Sequence, residues 1–194
     1  MIEKFLKAKH WQLFLLALGL PTLFQFTLMG SLFFGMSGGN EPNPELMFNY
    51  FKYFPFIMVI YMGIFFSWFW SIAIGLDKKI PDALKLNLGR FKILLIIPFI
   101  YALFLSIFME TMMAGMMGTA GAPNPAIFRL IVPLHLFAMF CLLYCIHFIA
   151  KTIKTAELQK EVGFGDFALD FFLIWFFPIG IWLIQPKINK MVEE

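Results

Sequence analysis

Pro55-Phe56-Ile57-Met58-Val59-Ile60-Tyr61-Met62-Gly63-Ile64-Phe65-Phe66-Ser67-Trp68-Phe69-Trp70-Ser71-Ile72-Ala73-Ile74-Gly75-Leu76 carries no charged side chain. A helix of this length extends about 33 Å, enough for a hydrocarbon core of about 30 Å. The surrounding composition agrees. Of 194 residues, 61% are hydrophobic and 14% charged, and mean hydropathy is +0.82. Soluble domains are less apolar and carry about a quarter charged residues, and a core of this size cannot hide such an excess. The chain therefore reads as an all-α, polytopic transmembrane helix bundle, with residues 1–194 as a single integral membrane domain.

Three further stretches match the first in kind, giving expected spans at 11–36, 55–76, 92–113 and 127–150. The first follows Lys4, Lys7 and Lys9 like the charged start of a signal peptide. No small-residue cleavage site interrupts it, so it is expected to remain uncleaved. A fifth stretch, 167–184, is broken by Pro178-Ile179-Gly180. It reads either as a kinked full span, the form expected here, or as a re-entrant segment. Lys and Arg concentrate at the N-terminus and in the 77–92 and 151–166 connections, whereas the other two connections hold only Lys52 and, just beyond, Arg129. The positive-inside rule then places the N-terminus in the cytosol. A full fifth span sets Lys187 and Lys190 against that rule, and a re-entrant one obeys it.

A tandem two-helix repeat is suggested by Met29-Gly30-Ser31, Gly35-Met36-Ser37-Gly38 and Pro42-Asn43-Pro44. Met109-Glu110-Thr111, Gly115-Met116-Met117-Gly118 and Pro123-Asn124-Pro125 follow at a spacing of about 80 residues. Within the second span Gly63, Ser67, Ser71 and Gly75 recur every fourth residue as a ridge of small side chains, suited to close helix packing in lipid. At an offset of 74, Ser67 and Ser71 fall on Cys141 and Cys145, which read as small residues at a helix contact.

Ionisable groups inside spans are costly and draw attention first. Glu110 and Arg129 are expected to pair across a short loop. His135, about 9 Å deeper along its helix, is expected to satisfy a neighbouring hydroxyl or carbonyl, and a proton relay would need Glu110. Asp166 and Asp170 read as N-terminal capping groups of the last segment. The methionines Met109, Met112, Met113, Met116 and Met117 would be soft ligands for Cu(I), but their apolar counterparts in the first repeat favour hydrophobic filling, so no metal or cofactor is assigned. No catalytic motif is present. The modest excess of 15 basic over 12 acidic residues gives no nucleic-acid footprint.

Lys9-His10-Trp11-Gln12-Leu13-Phe14-Leu15-Leu16 and Trp175-Phe176-Phe177-Pro178-Ile179-Gly180-Ile181-Trp182-Leu183-Ile184-Gln185-Pro186-Lys187-Ile188-Asn189 together resemble a group of small bacterial multi-pass membrane proteins without an assigned activity. The resemblance implies a bacterial cytoplasmic (inner) membrane and a defined C-terminal element. The expected function is a non-enzymatic packing or accessory subunit of a membrane complex, or a homo-oligomer, associating through the ridge. A small transporter or channel for a solute or ion is the alternative.

Overall fold

A computed structural model describes residues 2–37, 44–116 and 126–193. Eight α-helices occur among them: α1 (Ile2–Lys7), α2 (His10–Phe14), α3 (Leu20–Ser37), α4 (Pro44–Asp77), α5 (Leu88–Met116), α6 (Ala126–Leu158), α7 (Phe164–Trp175) and α8 (Phe177–Glu193). No strand appears among the described residues, as an apolar solvent requires of an open chain: each backbone group must be satisfied within its own segment. Four stretches are long and apolar enough to cross a membrane, His10–Gly35, Pro55–Asp77, Leu88–Met112 and Ala126–Leu158; the first three lie close to the bounds read from hydropathy, and the fourth continues past the expected end at 150 into the basic connection.

The first of these is not one regular helix. A π-turn over Leu15–Gly19 joins α2 to α3, with the Leu20 N–H donating to the Leu15 carbonyl. Beyond it no residue of α3 whose side chain is described is buried, and Leu23, Phe26, Phe33 and Phe34 are all exposed. Side-chain hydroxyls within the long helices bond back to their own backbone: Ser71 Oγ to the Ser67 carbonyl (2.7 Å), Ser106 Oγ to Ala102 (2.8 Å) and Thr152 Oγ1 to Phe148 (2.7 Å). They are thereby satisfied without a partner helix.

The favoured reading of the fifth stretch is corrected. It is not a kinked span but a re-entrant hairpin of two half-length helices. The chain reverses at Phe176 (φ −88°, ψ 56°), where the Phe176 N–H donates to the Phe172 carbonyl, and the Ile179 and Gly180 N–H groups donate to the Phe176 carbonyl. The turn thus leaves few orphan groups at membrane depth. Gly180 permits the return: a Cβ there would lie 1.6 Å from the Leu173 carbonyl oxygen. The limbs measure about 18 Å for α7 and about 13 Å from Phe177 to Gln185, each near half of the hydrocarbon thickness.

The hairpin docks through the N-terminal segment. Gln185, fully buried, donates its amide to the carbonyls of Phe5 (3.0 Å), Leu6 (3.2 Å) and Ala8 (2.9 Å) and accepts from Trp68 Nε1 (2.8 Å). Asn189 donates to Leu6 (2.7 Å) and Ala8 (3.1 Å). These amides supply donors to the carbonyls that end α1, which no following helical turn can satisfy. The Trp182 ring lies 4.6 Å from His10 and 5.5 Å from Phe14, centroid to centroid. The two stretches that carry the family resemblance are therefore opposite sides of one contact. The Lys79 ammonium reaches the Met191 carbonyl, and Gln159 reaches the Lys79 carbonyl. All basic residues except Lys52 and Arg129 thus lie on segments gathered at one end of the molecule.

Candidate functional site

Because the hairpin stops halfway, the other half of the bundle lacks a helix where α7 and α8 would continue. The space left is a cleft of about 420 Å³. Its floor is the hairpin tip, Ile174, Trp175, Phe177 and Pro178. Helix α4 supplies Tyr61, Met62, Phe65 and Phe66, α5 supplies Pro98, Tyr101, Ala102 and Leu105, and α6 supplies His135, Ala138, Met139 and Leu142, among others. Its size falls in the range of small-molecule sites. Among the described residues no lining residue carries a fixed charge, and the hydroxyl or imidazole groups on it are those of Tyr61, Tyr101 and His135.

Tyr101 and His135 meet across α5 and α6, with Tyr101 Oη and His135 Nδ1 3.0 Å apart. This is the neighbouring hydroxyl expected for a lone histidine in a span. Sequence reading found His135 but not Tyr101, which looks like one more aromatic residue in an apolar run. It also did not place the cleft, because the cleft exists only where the hairpin ends.

The other sequence candidates are dispersed. Glu110 and Arg129 are both exposed and form no ion pair with each other, so the expected bridge is corrected: each extends outward from its helix, and a short connection alone does not aim two side chains together. Asp170 does not cap α7. It lies in the helix's second turn, 6% exposed, and its carboxylate takes the Lys187 ammonium at 3.0 and 3.2 Å. Lys187 also reaches Glu157 (2.8 Å), which binds Lys154 (2.9 Å), so the pair fastens the two limbs of the hairpin to each other and to α6. Asp166 does act at the N-terminus of α7, accepting the Gly163 N–H at 2.8 Å.

The small-residue ridge divides. Ser71 is fully buried, and Gly75 lies so close beneath Leu6 of α1 that a Cβ would come within 2.3 Å of its side chain. The chain's own N-terminal helix occupies this part, contrary to the expected surface for a partner. Gly63 and Ser67 instead line an open groove between α4 and α5, beside Trp70, Ile96 and Phe99. Cys141 and Cys145 are fully buried, in keeping with small residues at helix contacts. The side chains of Met113, Met116 and Met117, and the two Pro-Asn-Pro motifs apart from the backbone of Pro44, lie outside the described residues. Among the described residues no three of His, Cys, Asp or Glu gather as a metal site. Away from the spans, a hydrogen bond from Lys85 and its charge hold the Asp82 carboxyl below its ordinary range.

Fold and site together define a multi-pass helical membrane protein with a re-entrant hairpin beneath an apolar intramembrane cleft. The chain matches no protein-family model, no curated protein and no solved structure.

Proposed function

We propose that this protein binds a small apolar or amphipathic molecule taken from the bilayer, which belongs to the transporter class of function rather than to structural packing. The observation that carries the reading is the uncharged, largely apolar cleft above the hairpin tip, with several aromatic side chains and one polar pair on its wall. A bare ion would lose its hydration there with no charged partner, at a cost of several kcal/mol, so the ligand is not an ion. The packing reading has less support, because the protein itself covers Ser71 and Gly75.

The positive-inside rule, the gathering of basic segments at one end and the family resemblance support a bacterial inner membrane with the N-terminus and basic end in the cytosol. The tandem-repeat reading fits too: at the offset of 74, Tyr61 corresponds to His135, and both line the cleft. The role requires no catalytic step and no cofactor.

The test is saturable binding of a bromine-labelled decanol to the full-length protein in nanodiscs, read as quenching of Trp175. Saturation in the native chain, lost in Trp175→Phe and reduced in the cleft-filling Ala102→Phe, supports the proposal. Quenching no greater than bulk partition, together with a stoichiometric foreign chain in the purified protein, would return the accessory-subunit reading.

A further inference from the structure

Resting on that reading of the cleft, we infer that its ligand is a planar ring bearing a carbonyl oxygen and an apolar tail, the chemistry of a membrane quinone, bound through the Tyr101–His135 pair. The pair's protons carry the argument. Tyr101 Oη and His135 Nδ1 share one hydrogen bond. If the tyrosine donates, the neutral imidazole carries its proton on Nε2 and that N–H is free. If Nδ1–H donates, the phenol O–H is free. Either arrangement leaves one donor in excess on the cleft wall, and among the described residues neither side chain makes another hydrogen bond. A donor in an apolar setting is stabilised by an acceptor from the ligand, since leaving it unmade is costly.

The walls select the rest of the molecule. Tyr61, Phe65, Phe66, Trp175 and Phe177 bring five aromatic side chains to one small space. Aromatic faces and edges add attraction for a flat ring that a saturated chain does not receive. No lining cation or anion is present to hold a carboxylate or an ammonium. The tail has an exit: Met139, Trp175 and Pro178 are lining residues that are also exposed, so the cleft opens at the side of the bundle. The pair binds the ring without any electron transfer.

The experiment compares a benzoquinone carrying a decyl chain with 1-decanol, each titrated by calorimetry into the full-length protein in nanodiscs. The expected result is that the quinone binds at least tenfold more tightly than decanol. His135→Ala is expected to weaken the quinone about tenfold and Tyr101→Phe about threefold, the scale of a lost hydrogen bond, without changing decanol. His135→Gln, which keeps a donor and serves if the alanine variant does not fold, should retain most of the affinity. Saturable decanol binding with no preference for the quinone, or quinone affinity unchanged in both His135→Ala and Tyr101→Phe, would overturn the ligand class and leave the cleft reading standing. Saturable binding of neither probe would overturn both.

Discussion

At the basic end of the molecule, large apolar side chains are enclosed. Leu13, Trp68, Phe69, Phe91, Ile153 and Ile184 are each 2% exposed or less. At the opposite end residues of the same type stand open: Phe26 is 70% exposed, Phe34 77%, Ile107 65% and Leu130 65%. The two sets are alike in residue type, so side-chain apolarity is not the cause. The difference is the number of helices present at each depth. The hairpin limbs and α1 and α2 pack around α4 only in the basic half, through Gln185, Asn189, Trp182 and Leu6. Past the turn at Phe176 those neighbours are gone, and lipid or a ligand must solvate what they leave. One half thus acts as a scaffold, and the other offers the accessible surface.

That contrast predicts an order of mutational effects, each measured by unfolding of the full chain in mixed micelles. Gly180→Ala should be the most damaging, by about 3 kcal/mol or more, because a backbone carbonyl occupies the place of the new methyl group. A stable Gly180→Ala protein with unchanged hairpin contacts would show that the limbs are not in close apposition. Gln185→Leu follows, at roughly 2–4 kcal/mol, since the Phe5 carbonyl and the Trp68 N–H lose their partner together. Asn189 still serves Leu6 and Ala8 in that variant. Lys187→Met should cost about 1–3 kcal/mol by leaving the buried Asp170 carboxylate unpaired, and the double variant with Asp170→Leu should recover much of it. Failure of the double variant to recover would mean that Glu157, not Asp170, is the principal partner of Lys187. Phe26→Ala and Leu130→Ala should change stability by about 0.5 kcal/mol or less, as exposed positions do. A large loss at either would show that the open half is covered in the native membrane, and so sharpen the search for what covers it.

The spans were legible because lipid imposes one requirement, an uninterrupted apolar helix, and 55–76 meets it on sight. The segregation of Lys and Arg was legible for a similar reason. The hairpin was only half legible. Pro178 and Gly180 mark a break, but a kinked span and a folded-back pair have the same composition, and the deciding contact sets Gly180 against the Leu173 backbone. Lys187 and Lys190 held the better clue, since only a re-entrant chain returns them to the basic end. Gln185 was missed because its partners lie about 180 residues away in the chain. Its spacing from Asn189, two amides one helical turn apart just past the apolar run that ends at Ile184, was the available signal. Of the ridge, Ser71 and Gly75 correctly mark close packing but not its partner, because small side chains admit any neighbour, whereas Gly63 and Ser67 face an open groove. Of the cleft, His135 was visible alone, and its companions depend on where the hairpin stops.

The re-entrant hairpin underlies both the packed half and the cleft, and its sidedness can be measured directly. In a background where Cys141 and Cys145 are replaced by alanine, single cysteines at Lys4, Lys190 and Arg129 would be treated with a membrane-impermeant maleimide in sealed vesicles of known orientation. The structure predicts that Lys4→Cys and Lys190→Cys are labelled from one side and Arg129→Cys from the other. Labelling of Lys190→Cys together with Arg129→Cys, opposite to Lys4→Cys, would mean that the last segment crosses the membrane, and the hairpin and the cleft above it would both be contradicted.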